Sequence, residues 1–109
     1  MQFNVALLAA ALVVSASPAL SATVVFFSGA DCTGQNIGQR TDLGPNVCLT
    51  LGSRSARSIR YSGIPNNIRF YESGGGHDSC TNGATTTLGG GSGCSTAPAG
   101  FNWESVSYN

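Results

Sequence analysis

Four cysteines, one histidine beside an aspartate and a run of arginines carry what chemistry this chain offers. Cys32, Cys48, Cys80 and Cys94 contain no Cys-x-x-Cys pair, the spacing that zinc sites and dithiol redox motifs use. His77-Asp78 lies in GGGHDSC. With serine abundant, it could imitate a Ser–His–Asp set, but nothing in the pattern supplies the third group that orients the base. GGGSG (Gly89–Gly93) lacks the Lys-Ser/Thr of a phosphate-cradling loop and reads as a flexible turn. Arg54, Arg57 and Arg60 fall within seven residues, and Arg69 stands on the next strand. They form a candidate patch for an anionic partner: acidic lipid, cell-wall glycan or protein carboxylate. The plainer reading is a solvated strand face with Arg57 paired to Glu104. Trp103 is a candidate surface anchor, since binding hot spots favour Trp, against the default of core filling. No catalytic residue, metal or cofactor is expected from this set.

These residues need a frame, and the composition describes one. The 109 residues hold 5 Lys+Arg and 5 Asp+Glu, with only 9% charged, where soluble proteins average about 25%. So neutral a chain is poorly suited to coating nucleic-acid phosphates. Hydrophobic residues at 41% argue for a packed core. Val5–Val14 is an unbroken apolar run followed by Pro18 and small residues. It is too short to span a bilayer, which takes about 20 residues, and fits the core of a secretion signal. Residues 1–22 are therefore expected to be a signal peptide cut after Ala22, with Ala16 or Ser17 as other sites. Residues 23–109 are expected to be one secreted, extracellular domain, monomeric and without a membrane anchor. Secretion makes two disulfides the default for four cysteines.

The apolar runs of that domain are short, β-branched and bounded by Gly, Asn, Ser and Pro, the signature of strands. Thr23–Phe27, Asn46–Leu51, Ser58–Ser62, Asn67–Glu72, Gly83–Leu88 and Glu104–Tyr108 are the expected strands. Pro45 and Pro65 stand just before two of them.

The domain also repeats itself. VVFFSGADCTG (Val24–Gly34) matches IRFYESGGGHDSCTNG (Ile68–Gly83), Cys48 matches Cys94, and RSIRY (Arg57–Tyr61) matches ESVSY (Glu104–Tyr108). Two copies, about 23–62 and 67–109, join at Gly63–Asn66 and form an eight-strand, two-sheet sandwich. The repeat favours the bridges Cys32–Cys48 and Cys80–Cys94, one per copy. Cys32–Cys80 with Cys48–Cys94 also respects the repeat.

The repeat resembles the Greek-key motif of the βγ-crystallin superfamily. VVFF and IRFYE stand for its first strand, Cys32-Thr33-Gly34 and Cys80-Thr81-Asn82-Gly83 for its aromatic-x-Gly corner, and Ser58 and Ser105 for the serine that ties the hairpin down. The resemblance implies that Gly34 and Gly83 take φ > 0 and that the two serines cap backbone groups. Cysteines at the corners are similar to those of the small secreted, killer-toxin-like branch. The superfamily's calcium motif is not matched by Ser53–Ser58 or Gly100–Ser105, and the first window puts arginines where a hard dication would sit. The implied function is a non-enzymatic secreted binding module, an effector or antimicrobial toxin. The alternatives are a proteinase inhibitor presenting Asp42–Cys48 or Ser73–Cys80, and a structural extracellular or stress protein.

Overall fold

The computed structural model describes residues 22–109; the expected signal segment falls outside the described residues except for Ala22. The regular structure of the described chain is almost all antiparallel β-strand. The strands are β1 (Ala22–Phe27), β2 (Asn36–Leu43), β3 (Leu49–Thr50), β4 (Ser58–Glu72), β5 (Thr86–Thr96) and β6 (Trp103–Tyr108), with one 3-10 turn at Ala30–Cys32. Among the described residues no helix is long and apolar enough to cross a membrane.

β1 forms because alternate residues are apolar. Ala22, Val24 and Phe26 face the core while Thr23, Val25 and Phe27 are half-buried. β4 is the spine. Its first half pairs with β1 (Val24 opposite Tyr61, Phe26 opposite Ile59) and its second half with β6 (Phe70 opposite Val106). β5 pairs along its whole length. β2 borders β1, and β3 borders β6. The sheet therefore curls along β4, and Ile59, Ile64, Ile68, Phe70, Trp103 and Val106 meet inside the curl.

The strands depart from the sequence expectations at several points. Gly63–Asn66 is no linker: it lies inside β4, which runs unbroken for 15 residues. The β4–β5 register slips between Tyr61 and Ile64 and again between Ile64 and Asn67. Gly63 takes φ 72° in the first of these irregularities, and Pro65 sits in the second, where a missing N–H breaks no ladder bond. GGGSG is not a turn but the middle of β5. The reason is space: a Cβ on Gly90 would lie 2.3 Å from the Ile64 carbonyl oxygen, so glycine lets β5 press against the irregular stretch of β4. Asn46–Leu51 shrinks to the two residues of β3, and Val47 is exposed. β2, which sequence reading passed over, is a mostly polar edge strand without the apolar alternation of a half-buried strand.

The bridges are Cys32–Cys94 and Cys48–Cys80, not the favoured Cys32–Cys48 and Cys80–Cys94, nor the other expected pairing. Strand exchange explains it. Ser95 and Thr96, which follow Cys94, pair with Ile59 and Ser58 of the first copy. Leu49 and Thr50, which follow Cys48, pair with Val106 and Ser105 of the second. Each copy's third strand thus lies against the other copy's last strand and carries its cysteine to the other copy's corner. The observed pairing also obeys the repeat, because exchanging Cys32 with Cys80 and Cys48 with Cys94 converts one bridge into the other.

Candidate functional site

Two corners carry the site, and both depend on residues in the left-handed region. Asp31 and Cys32 have φ of 56° and 57°; Ser79 and Cys80 have 57° and 58°. Each corner hangs on a serine. The Cys32 amide donates to Ser58 Oγ at 2.8 Å, and that hydroxyl donates to the Gly29 carbonyl at 2.5 Å. The Cys80 amide donates to Ser105 Oγ at 2.9 Å. Gly34 and Gly83 both take φ 86°, and a Cβ on Gly34 would lie 2.6 Å from Ser28 Oγ. Between the corners, Ala56 and Trp103 exchange both backbone hydrogen bonds at 2.7 Å.

The arginines have different partners. Arg57 Nη1 donates to the carbonyls of Ala97, Pro98 and Phe101 at 2.6, 3.1 and 2.8 Å, and so fastens the loop between β5 and β6. It is not paired with Glu104. That carboxylate is buried and accepts from the Ser79 amide at 2.7 Å and from the Thr50 hydroxyl. Arg54 donates to the Ile37 carbonyl at 2.9 Å. Arg69 is half-buried in the second half of β4. Trp103 is not a surface anchor: it is fully buried, donates to the Ser95 carbonyl at 3.1 Å and lies 5.5 Å from the Phe70 ring. A Trp surrounded by β5 and the spine fills the core as no smaller side chain would.

The His77 loop is tied to its own backbone. His77 Nδ1 faces the carbonyls of Thr81 at 3.3 Å and Gly83 at 3.1 Å, so this nitrogen carries the hydrogen. Asp78 accepts from the Gly74 amide at 2.9 Å.

Arg60 is different. Its guanidinium lies 5.0 Å from the centre of the Phe27 ring, a cation–π contact, and among the described residues it donates no hydrogen bond. It borders an open cleft of about 460 Å³ lined by Asp31, Cys32, Tyr61, Ser62, Ser92, Gly93 and Cys94. That volume lies in the range of roughly 300–1,000 Å³ common for small-molecule sites. The Cys32–Cys94 bridge forms one wall, so the cleft is cross-linked across both copies. The irregularity after Tyr61 helps shape it, as bulges often do beside sites. Gly93 gives room to the Tyr61 ring, because a Cβ there would stand 2.7 Å from the Tyr61 hydroxyl and displace it.

The same place on the second copy differs. Matching the registers puts Ser79 at Asp31, Ser107 at Arg60, Asn46 at Ser92 and Val47 at Gly93. Only the first copy has a cation, an anion and a glycine opening. Of these residues, sequence reading singled out Arg60 and the cysteines and missed Asp31, Tyr61, Ser62, Ser92 and Gly93. The available signal was the charge difference between the aligned copies, above all Arg60 against Ser107.

Residues 23–109 match the family described as ARB_05566_N, N-terminal domain. The chain belongs to that family. No curated protein and no solved structure matches it. The matched residues include both corners, both bridges and every residue lining the cleft.

Proposed function

We propose that this member of the ARB_05566_N family is an exported, non-enzymatic binding module that acts on another cell or host as an effector or antimicrobial toxin. Its frame is read as two Greek-key motifs, about 23–62 and 67–109, packed as a βγ-crystallin-like sandwich. The exchanged third strands and the matching Ser58 and Ser105 hydrogen bonds support that frame. One observation carries the functional reading: of two equivalent places in a duplicated scaffold, a single one has a cleft lined by opposite charges. A scaffold maintained only for stability has no need of that difference. The partner is an extracellular surface, of cell wall, membrane or protein, and a rigid cross-linked frame keeps the ordering cost of binding it low.

Proteinase inhibition is the second reading, and one observation favours it. The loops Asp42–Cys48 and Ser73–Cys80 both end on the Cys48–Cys80 bridge, which presents them together on a fixed mount. The two readings separate when purified, oxidised protein is applied to fungal and bacterial cells and, in parallel, to a panel of proteinases. Saturable cell binding with growth arrest supports the module. Stoichiometric proteinase inhibition without cell binding replaces it with the inhibitor.

A further inference from the structure

We propose that the Arg60–Asp31 cleft is a site for an acidic sugar of the uronic-acid class, with Arg60 holding the carboxylate and Asp31, Ser62 and Ser92 holding ring hydroxyls. The inference rests on the binding-module reading and specifies its ligand.

The chemistry of the lining selects this class by elimination among ligands. Arg60 presents a guanidinium fork, the group best matched to a planar carboxylate. Stacking on Phe27 fixes the guanidinium without using its N–H donors. Asp31 Oδ1 meets only the Thr96 hydroxyl, at 3.3 Å, and the carboxylate keeps acceptor capacity for hydroxyl donors. Its backbone is locked, since its amide donates to Thr96 Oγ1 at 2.9 Å and the bridge at Cys32 follows directly. A phosphate monoester would bring more negative charge beside Asp31 and meet repulsion, and a sulfate ester carries its single charge on a tetrahedral group rather than the planar carboxylate that the guanidinium fork matches. A neutral sugar would leave the Arg60 donors without a counter-charge. A simple carboxylate would leave Asp31 and the serines unused. A ring carrying one carboxylate and several hydroxyls satisfies all of them, and the cleft of about 460 Å³ has room for it. The mirror site, with Ser107 for Arg60 and Ser79 for Asp31, has neither end of this recognition.

The test uses the full chain made in a secreting host, with both bridges formed and ¹⁵N-labelled for amide chemical shifts. Glucuronate is the probe, and glucose and acetate are the two half-ligands. Glucuronate is expected to move the amides of Asp31, Arg60 and Ser92 saturably, at least tenfold more tightly than either control. Arg60→Gln is expected to weaken it by about tenfold or more, as loss of a charge-assisted hydrogen bond does, and Asp31→Asn severalfold. Both positions are exposed, and an unchanged melting temperature verifies that the variants fold. Gly93→Ala, which pushes on Tyr61 at the wall of the cleft, is expected to weaken binding severalfold. Equal binding of acetate and glucuronate, no saturable shift at these residues, or an Arg60→Gln protein that binds as well as the parent overturns the proposal. Cell binding measured with the same samples keeps the two readings apart. Cell binding that persists without glucuronate binding removes the sugar assignment alone, and glucuronate binding without cell binding removes the effector reading alone.

Discussion

Ser58 shows how much one hydroxyl can hold. It is fully buried, accepts from the Cys32 amide and donates to the Gly29 carbonyl. A corner in the left-handed region cannot satisfy its own amide through a strand ladder, so a side chain must do it. Ser58→Ala removes both contacts and leaves buried polar groups unmatched, a cost of about 1–3 kcal/mol. In a domain of this size that corresponds to a fall in melting temperature of roughly 4–8 °C per kcal/mol. Thermal unfolding with the bridges intact is expected to show that fall, and Ser58→Thr, which keeps the hydroxyl, to show less of it. An alanine variant that melts with the parent would remove the serine from this role. Arg57 makes a related point. Its charge is spent on three carbonyls of one loop, not on a carboxylate.

At the scale of elements, β4 and β5 determine the shape. A 15-residue strand that serves two sets of neighbours must change its twist between them, and the register slips around Gly63 and Pro65 accommodate that change. β5 follows only because Gly90 lets its backbone approach the carbonyls of Ile64 and Asn66, which a Cβ would meet at 2.3 and 2.7 Å. Both obstacles are backbone atoms and cannot swing aside. Gly90→Ala is therefore expected to destabilise the protein by about 1–3 kcal/mol, in line with overpacked sites. The exposed Gly89→Ala, with nothing within 4 Å, is the matched control and is expected to be nearly neutral. Denaturant titration of the two variants separates them. Equal midpoints would contradict the close approach.

At the scale of the whole molecule, both bridges tie the first copy to the second. Their sequence separations are 62 and 32 residues, long enough for each to contribute about 4 kcal/mol in the chain-entropy account. Total stabilities of such domains are roughly 5–15 kcal/mol, so the pair is a large fraction of the whole. Peptide mapping without reductant is expected to recover Cys32 with Cys94 and Cys48 with Cys80. The double variant Cys48→Ser, Cys80→Ser is expected to lose about 4 kcal/mol of stability while keeping the Cys32–Cys94 wall of the cleft. Recovery of Cys32 with Cys48 would contradict the strand exchange itself.

By itself the sequence determined the all-β class, the cross-linking of its four cysteines and the location of most strands, because alternation, turn residues and cysteine count act locally or by composition. It pointed to a repeat through spacing. Tertiary structure alone decided which cysteines meet, that Gly63–Asn66 continues a strand, that Gly90 and Gly93 of β5 are contact surfaces, and that Trp103 is interior. Each of these depends on which strand lies beside which, and strand pairing joins residues far apart in the chain through backbone groups that every residue type possesses. A run of letters carries no mark of its neighbour across the sheet. Asp31 and Arg60, both of the first copy, gained the facing wall of their cleft, Ser92 to Cys94, only because the third strand of the second copy crossed over to the first.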